Sequence, residues 1–265
     1  MGWKSATTIV ATLGIVGTLL FSEMADAAEI KVMISGGFRA AFLSLIPEFE
    51  RASGHKVVTI NGGSAGTSNN SIPKRLQRGE TADLVIMGDD ALDELIKQGM
   101  VVTGSRVDLG RSVIGVAVRA GAPKPDIHST QALMRALHEA KSIAYSVSLS
   151  GDYLANLFQR LDGGDRLKAK TKQVEGEPVG AAVARGEAEI GFQMISELMP
   201  VPGIDIVGPL PADIQLTTIF SAGLVAGAKA PDAARILVQF LGAPAAEAAI
   251  RRTGMEPLTP PERRR

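Results

Sequence analysis

The sequence predicts an α/β fold of parallel-rich sheets flanked by helices, divided into two lobes. Three observations carry that expectation. Short apolar runs of strand length alternate with amphipathic helical segments, a pattern that calls for a parallel sheet covered on both faces. Two stretches rich in Pro and Gly, 121–127 (GAPKPDI) and 208–215 (GPLPADIQ), read as crossings between lobes. Finally, RGETADLVIM (78–87) and RGEAEIGFQM (185–194) both run helix end, Gly turn, acidic residue and strand. That echo supports two similar lobes, although short helix-to-strand turns also converge on such a pattern by chemistry alone.

In chain order, EIKVMIS (29–35) is a short buried strand with Gly36-Gly37 as its turn. Phe42, Leu45 or Ile46, and Phe49 recur at helical spacing, so 39–52 is a helix that Gly54 stops. KVVTI (56–60) is the second strand. A helix over 68–78 follows, with Pro73 tolerated in its first turn, where a missing N–H is not needed. ADLVIMG (82–88) is the third strand and 89–98 a helix opened by Asp89 or Asp90. A strand over 111–120, a helix over 129–140, a strand over 142–147 and a helix over 152–161 come next. The last predicted elements are a helix over 178–185, strands over 188–194 and 217–226, and a helix from Pro231 that packs back on the first lobe. The expected division is a first lobe of 29–120 plus 213–260, a second lobe of 121–212, and a disordered tail at 261–265.

The 265 residues suffice for two lobes with real cores, and a formal net charge of zero gives no general attraction to nucleic acid or to anionic membranes. Residues 1–28 read as a cleaved export signal. Lys4 precedes an uncharged, largely apolar stretch, Ala6 to Phe21, and Ala25-Asp26-Ala27 supplies small-x-small for cleavage near Ala27 or Ala28. Cysteine is absent, which excludes disulfides, a thiol nucleophile and a lipidated anchor. The expectation is a freely diffusing periplasmic protein, monomeric, without nucleic-acid partners.

Candidate chemistry lies at the strand-to-helix junctions. Gly36-Gly37, Ser64-Ala65-Gly66-Thr67-Ser68 and Ser148-Leu149-Ser150-Gly151 place glycine or hydroxyl residues where helix N–H groups lack partners and the helix dipole favours an anion. Arg39, in the first turn after Phe38, can pair bidentately with a bound carboxylate. Tyr153 can donate its hydroxyl, and Gln193 and Met194 end a strand where alternation lets one of them face the cleft.

Other classes lack support. The glycine stretches match neither a P-loop nor a dinucleotide fingerprint, and SVSLSGDY is not a nucleophile elbow. His55, His128 and His138 read as solvated surface residues. Asp89, Asp90, Asp93 and Glu94 read as the cap and exposed side of a helix, so neither metal nor cofactor is expected.

The segments SGGFRAAFLSLIPEFERASGHKV, GGSAGT, RLQRGETADLVIMGDD, SLSGDYLANLFQRL and VARGEAEIGFQMISEL resemble, in order and spacing, the periplasmic molybdate-binding proteins of ABC transporters. The likeness spans about residues 30 to 260 and implies the two-lobed type II substrate-binding fold with its ligand cleft between the lobes. It also implies an inner-membrane ABC permease as partner, and ligand contacts at Gly37, at Ser64 or its neighbours, at Ser150-Gly151, at the Val179 backbone and at Met194. Gly37 and Met194 stand where the resemblance implies a serine and a tyrosine hydroxyl. That loss, with Arg39 beside the cleft, favours an organic carboxylate over a tetrahedral oxyanion. GFQMISEL and GMEPL further resemble the aconitate isomerase branch, which implies an allylic proton shift on a tricarboxylate; Asp152, Glu177 and Tyr153 are the candidate bases. The leading expectation is a solute-binding protein for a small anion, a di- or tricarboxylate or a molybdate-like oxyanion, with the isomerase as alternative. A sensor-partner protein would share the pocket.

Overall fold

The computed structural model describes residues 27–65, 68–161 and 164–258; the predicted signal, the predicted tail and the pair Gly66-Thr67 fall outside these, wholly or nearly so. The first half of the chain lays down β1 (Glu29–Ile34), α1 (Gly36–Ser53), β2 (Lys56–Asn61), α2 (Ile72–Gln77), β3 (Leu84–Gly88), α3 (Asp89–Lys97) and β4 (Val107–Arg119). Next come α4 (Thr130–Glu139), β5 (Ile143–Ser146), α5 (Leu149–Arg160), α6 (Gly164–Ala169), β6 (Thr171–Val174), α7 (Val179–Ala184), β7 (Ile190–Met194) and α8 (Ile195–Leu198). The chain then forms β8 (Ile204–Pro209), β9 (Thr217–Leu224), α9 (Pro231–Leu241), α10 (Glu247–Arg252) and β10 (Glu256–Pro257).

Two parallel three-stranded units repeat. β1 lies between β2 and β3, and β5 lies between β6 and β7. The echoed sequences enter β3 and β7 through the same turn. Gly79 and Gly186 take left-handed backbones, at φ +83° and +77°, and Glu80 and Glu187 donate their N–H groups to the carbonyls of Arg75 and Ala182. Arg78 pairs with Glu80 and Arg185 with Glu187, so each turn also carries the same ion pair.

Two antiparallel strands join the units. β9 inserts between β3 and β4. β4 pairs with β9 from Val107 to Val113 and with β7 from Ile114 to Ala117, so one strand serves both halves. At the switch, the Gln215 side chain accepts from the Ile114 N–H at 3.0 Å and donates to the Ile114 carbonyl at 3.0 Å. The side chain supplies what a neighbouring strand otherwise would.

Several predicted boundaries shift for local reasons. α1 begins at Gly36 rather than 39, because extended Ser35 is its N-cap and the glycine pair forms its first turn. α2 begins at Ile72 rather than 68, since Asn69-Asn70 make a turn in which Ser68 Oγ accepts from the Asn70 N–H. α5 begins at Leu149 rather than 152, with Ser148 as N-cap. The unexpected β6 is a polar, mostly exposed edge strand without an apolar run. α6, α8, β8, α10 and β10 were also unexpected.

The core runs through both halves. α1 buries Phe38, Phe42, Leu45, Ile46 and Phe49, each removal from water stabilising by about 1.5–3 kcal/mol. Phe49 packs on Phe240 of α9 with ring centroids 5.5 Å apart, so that helix does return to the first half. Asp83, just before β3, is 3% exposed and accepts from the N–H groups of Lys31, Lys229 and Ala230 at 2.6–2.9 Å. It thereby ties β1 to the entry of α9. Asp83→Ala leaves three inward N–H groups without their acceptor and is expected to cost about 3 kcal/mol in urea denaturation, with Asp83→Asn losing less.

Candidate functional site

A cleft of about 540 Å³ opens where the parallel strands of both units end. Its walls are the segments that follow β1, β2, β5, β6 and β7, with Thr218 and Phe220 reaching in from β9.

From the first parallel unit and the adjoining β9 come Ser35, Arg39, Ser64 and Thr218. Arg39 is exposed; its Nε donates to Asn61 Oδ1 at 2.8 Å, and among the described residues no carboxylate pairs with it. Ser64 Oγ accepts from the Gly88 N–H at 2.8 Å, which leaves its own proton to give. The hydroxyls of Ser35 and Thr218 are buried without a partner among the described residues. Each such orphan costs about 1–3 kcal/mol, a cost a ligand oxygen removes.

From the second half comes a row of hydroxyls at the start of α5. Ser146 and Ser148 lie 2.6 Å apart and Ser148 and Ser150 3.1 Å apart. Three hydroxyls sharing two hydrogen bonds leave one O–H over for a guest.

Glycine makes this convergence possible. A Cβ on Gly36 would stand 2.1 Å from Glu197 Oε1, and a Cβ on Gly37 would stand 2.0 Å from Phe220 Cζ. The Phe220 ring therefore occupies the space in which any side chain at position 37 would lie.

Glu197 is the unexpected member. It stands three residues past Met194, the N-cap of α8, which is the spacing of a capping box. The Met194 N–H and the Gln193 amide both favour its ionised form. Yet burial dominates: the carboxyl faces the cleft from within dense protein, and desolvation raises its pKa to about 7 against the lowering effect of both donors. Such a carboxyl gives and takes protons near neutrality.

Of the residues expected from sequence, Gly37, Arg39, Ser64, Ser150, Gln193 and Met194 line the cleft. Gln193 and Met194 both do so, because the strand ends at Met194 and the chain turns there into α8. Phe38 is fully buried in the core instead. Ala65 is not part of the wall. Gly151 packs against the Ser146 carbonyl, and its N–H is directed to Ser148 Oγ. The Val179 N–H is taken by Gln193 Oε1 at 2.8 Å. Tyr153 lies off the cleft and donates to the Ile214 carbonyl at 2.8 Å. Among the candidate bases, Asp152 is exposed away from the wall. Glu177 lines it but is clasped by both Nη groups of Arg185, at 2.9 and 2.6 Å, which hold its carboxyl below the usual range. Glu197, Phe220, Thr218 and Ser35 were missed; the one available signal was a glutamate at the third position of a helix beginning directly at a strand end.

The family model described as bacterial extracellular solute-binding protein matches residues 30–256. The chain is 44% identical over 252 residues to an aconitate isomerase from Pseudomonas sp., covering 93% of this chain and 96% of that one. It is 28% identical over 256 residues to the molybdate-binding protein ModA of Azotobacter vinelandii, covering 90% and 94%. The solved periplasmic molybdate-binding protein of Azotobacter vinelandii superposes with a TM-score of 0.67 at 22% identity, over 87% of this chain and 99% of that one, and thus shares the two-lobed fold.

The contact of Gly37 with Phe220 can be tested directly. Gly37→Ala overpacks it and is expected to destabilise the protein by about 2 kcal/mol, and adding Phe220→Ala recovers part of that loss in thermal melting.

Proposed function

The chain belongs to the bacterial extracellular solute-binding proteins, and on that premise we propose that its cleft binds aconitate and interconverts the cis and trans isomers. The observation that carries this reading is Glu197, a half-buried carboxyl with a pKa of about 7 in the wall of an otherwise donor-lined cleft. The 44% identity to an aconitate isomerase supports the same choice.

The geometry performs the reaction as follows. Arg39 and the hydroxyls of Ser35, Ser64, Thr218 and the Ser146–Ser150 row bind carboxylates, with the α1 and α5 amino ends favouring their charge. Ionised Glu197 removes a proton from the substrate methylene. The electron pair spreads over the allylic carbons onto an adjacent carboxylate, whose growing charge the same donors stabilise. Protonated Glu197 returns the proton to the former vinyl carbon, the double bond moves by one position, and the isomer of opposite geometry leaves. One C–H bond breaks and one forms, with no change of oxidation state. Two lobes, taken as 29–120 with 213–260 against 121–212, close around the ligand, and an export signal at 1–28 directs the chain to the periplasm.

A second reading follows from the likeness to molybdate-binding proteins. There the closed, loaded protein presents a carboxylate or oxyanion to an inner-membrane ABC permease and no bond changes. NMR of cis-aconitate mixed with the protein separates the two: appearance of the trans isomer is expected, and an unchanged isomer ratio despite binding overturns the isomerase reading.

Two variants test the roles. Glu197→Gln is expected to retain aconitate binding by calorimetry and to lose about a thousandfold in turnover, whereas wild-type kcat/KM rises with pH through about 7 as the base ionises. Arg39→Ala is expected to weaken aconitate binding about a hundredfold, read by calorimetry, with the melting temperature of the free protein unchanged.

A further inference from the structure

Among the described residues, three hydroxyls are buried without a hydrogen-bond partner: those of Ser35, Ser196 and Thr218. Ser35 and Thr218 line the cleft, and Ser196 does not. A hydroxyl shut away from water without a partner destabilises the protein that carries it, and an apolar group of the same shape in its place is neutral or stabilising. Two of them in one cleft wall mark a place where the partner arrives from outside.

Ser35 is the sharper case. It is 3% exposed and stands at the N-cap of α1, where a serine hydroxyl ordinarily accepts from a first-turn N–H, yet here it accepts from none. The 18-residue helix therefore opens on the cleft without its own cap. Thr218, 4% exposed, lies on the same face of β9 as Phe220. The end of β3 sets both hydroxyl residues. The Ser35 N–H donates to the Ile86 carbonyl at 2.9 Å, and Gly88, two residues on, leaves room for the Thr218 methyl, 3.3 Å from where a Cβ would stand. The Phe220 ring meets the first turn of α1 at Gly37.

We infer that Ser35, Thr218 and the opening turn of α1 form a subsite for a carboxylate borne on carbon, its donors held unpaired until the ligand arrives. The inference rests on the reading of the cleft as a polycarboxylate site and narrows it, assigning one carboxylate to this wall and the carbon chain behind it to the Phe220 ring. A carboxylate presents two accepting oxygens on one side and carbon on the other, which suits hydroxyl and N–H donors beside an aromatic surface. A tetrahedral oxyanion presents oxygen in every direction and would set one against the ring without a donor. Glu197 approaches the same turn at Gly36, so the carboxylate held here neighbours the carbon that exchanges its proton, and Arg39, also in this turn, offsets the two negative charges.

The test pairs thermal melting of the free protein with calorimetry of tricarballylate, a saturated tricarboxylate that has no double bond to move, in Ser35→Ala, Thr218→Val and the control Ser196→Ala. All three variants are expected to melt with the wild type or about 2 °C above it, Ser35→Ala included, although an N-cap serine ordinarily stabilises its helix. Ser35→Ala and Thr218→Val are expected to bind tricarballylate about tenfold more weakly, since each lacks a hydrogen bond to a charged group, and Ser196→Ala to bind as the wild type does. Wild-type affinity in either cleft variant overturns the inference. A lowered melting temperature in either does so too, because the hydroxyl then has a partner in the free protein. Molybdate bound by the wild type as tightly as tricarballylate, with the same loss in Thr218→Val, overturns the assignment to a carbon-borne carboxylate. If tricarballylate binding behaves as expected and aconitate is not interconverted, the isomerase reading fails while the subsite stands. If the wild type does not bind tricarballylate, the polycarboxylate reading fails and the subsite with it.

Discussion

The cleft depends on two side chains that are absent. Gly36 and Gly37 open α1 at the point where Glu197 arrives from the second half and Phe220 from β9, and each glycine leaves room for one of them. Any larger residue at either place would push the carboxyl or the ring away. Because the same two residues form the first turn of α1, the close approach also brings unpaired helix N–H groups up to the cleft. Steric room and an anion-favouring helix end thus share one short segment.

Glu197 shows how a local rule and a tertiary one combine. A glutamate at the third position of a helix caps that helix by reaching back to the N-cap N–H, and its ordinary consequence is a stable carboxylate. Burial in the cleft wall reverses the outcome. The Gln193 amide and the Met194 N–H moderate a desolvation that would otherwise raise its pKa further. The donor set has been reassigned in the same way. The Val179 N–H, which the resemblance to molybdate-binding proteins marked for a ligand, serves a glutamine side chain instead.

The alternation of strands and helices was legible in the sequence because it rests on apolar periodicity and glycine stops, both local. The repeated turn before β3 and β7 was visible as an echo, and the structure gives it a common hydrogen-bond pattern and a common ion pair. Helix starts were misplaced at Gly36, Ile72 and Leu149, where serine caps and asparagine turns govern the boundary and hydrophobicity says little. β6 and β8 escaped notice because half-exposed strands carry little apolar signal. In the site, Arg39, Ser64 and Ser150 were found from the chemistry of helix ends. Glu197 and Phe220 were not, since their importance comes from distant parts of the chain meeting at two glycines. Tyr153 and Glu177 are engaged by the Ile214 carbonyl and by Arg185, partners visible only in three dimensions.

The place of β9 has a consequence for how the protein comes into being. It sits between β3 and β4, yet it is built from residues 217–224, far along the chain. Until that segment has been synthesised, the hydrogen-bonding edges of β3 and β4 that will receive it stand open, and the α1–α9 packing behind them cannot form. The sheet therefore closes late, through contacts of large sequence separation, which form slowly.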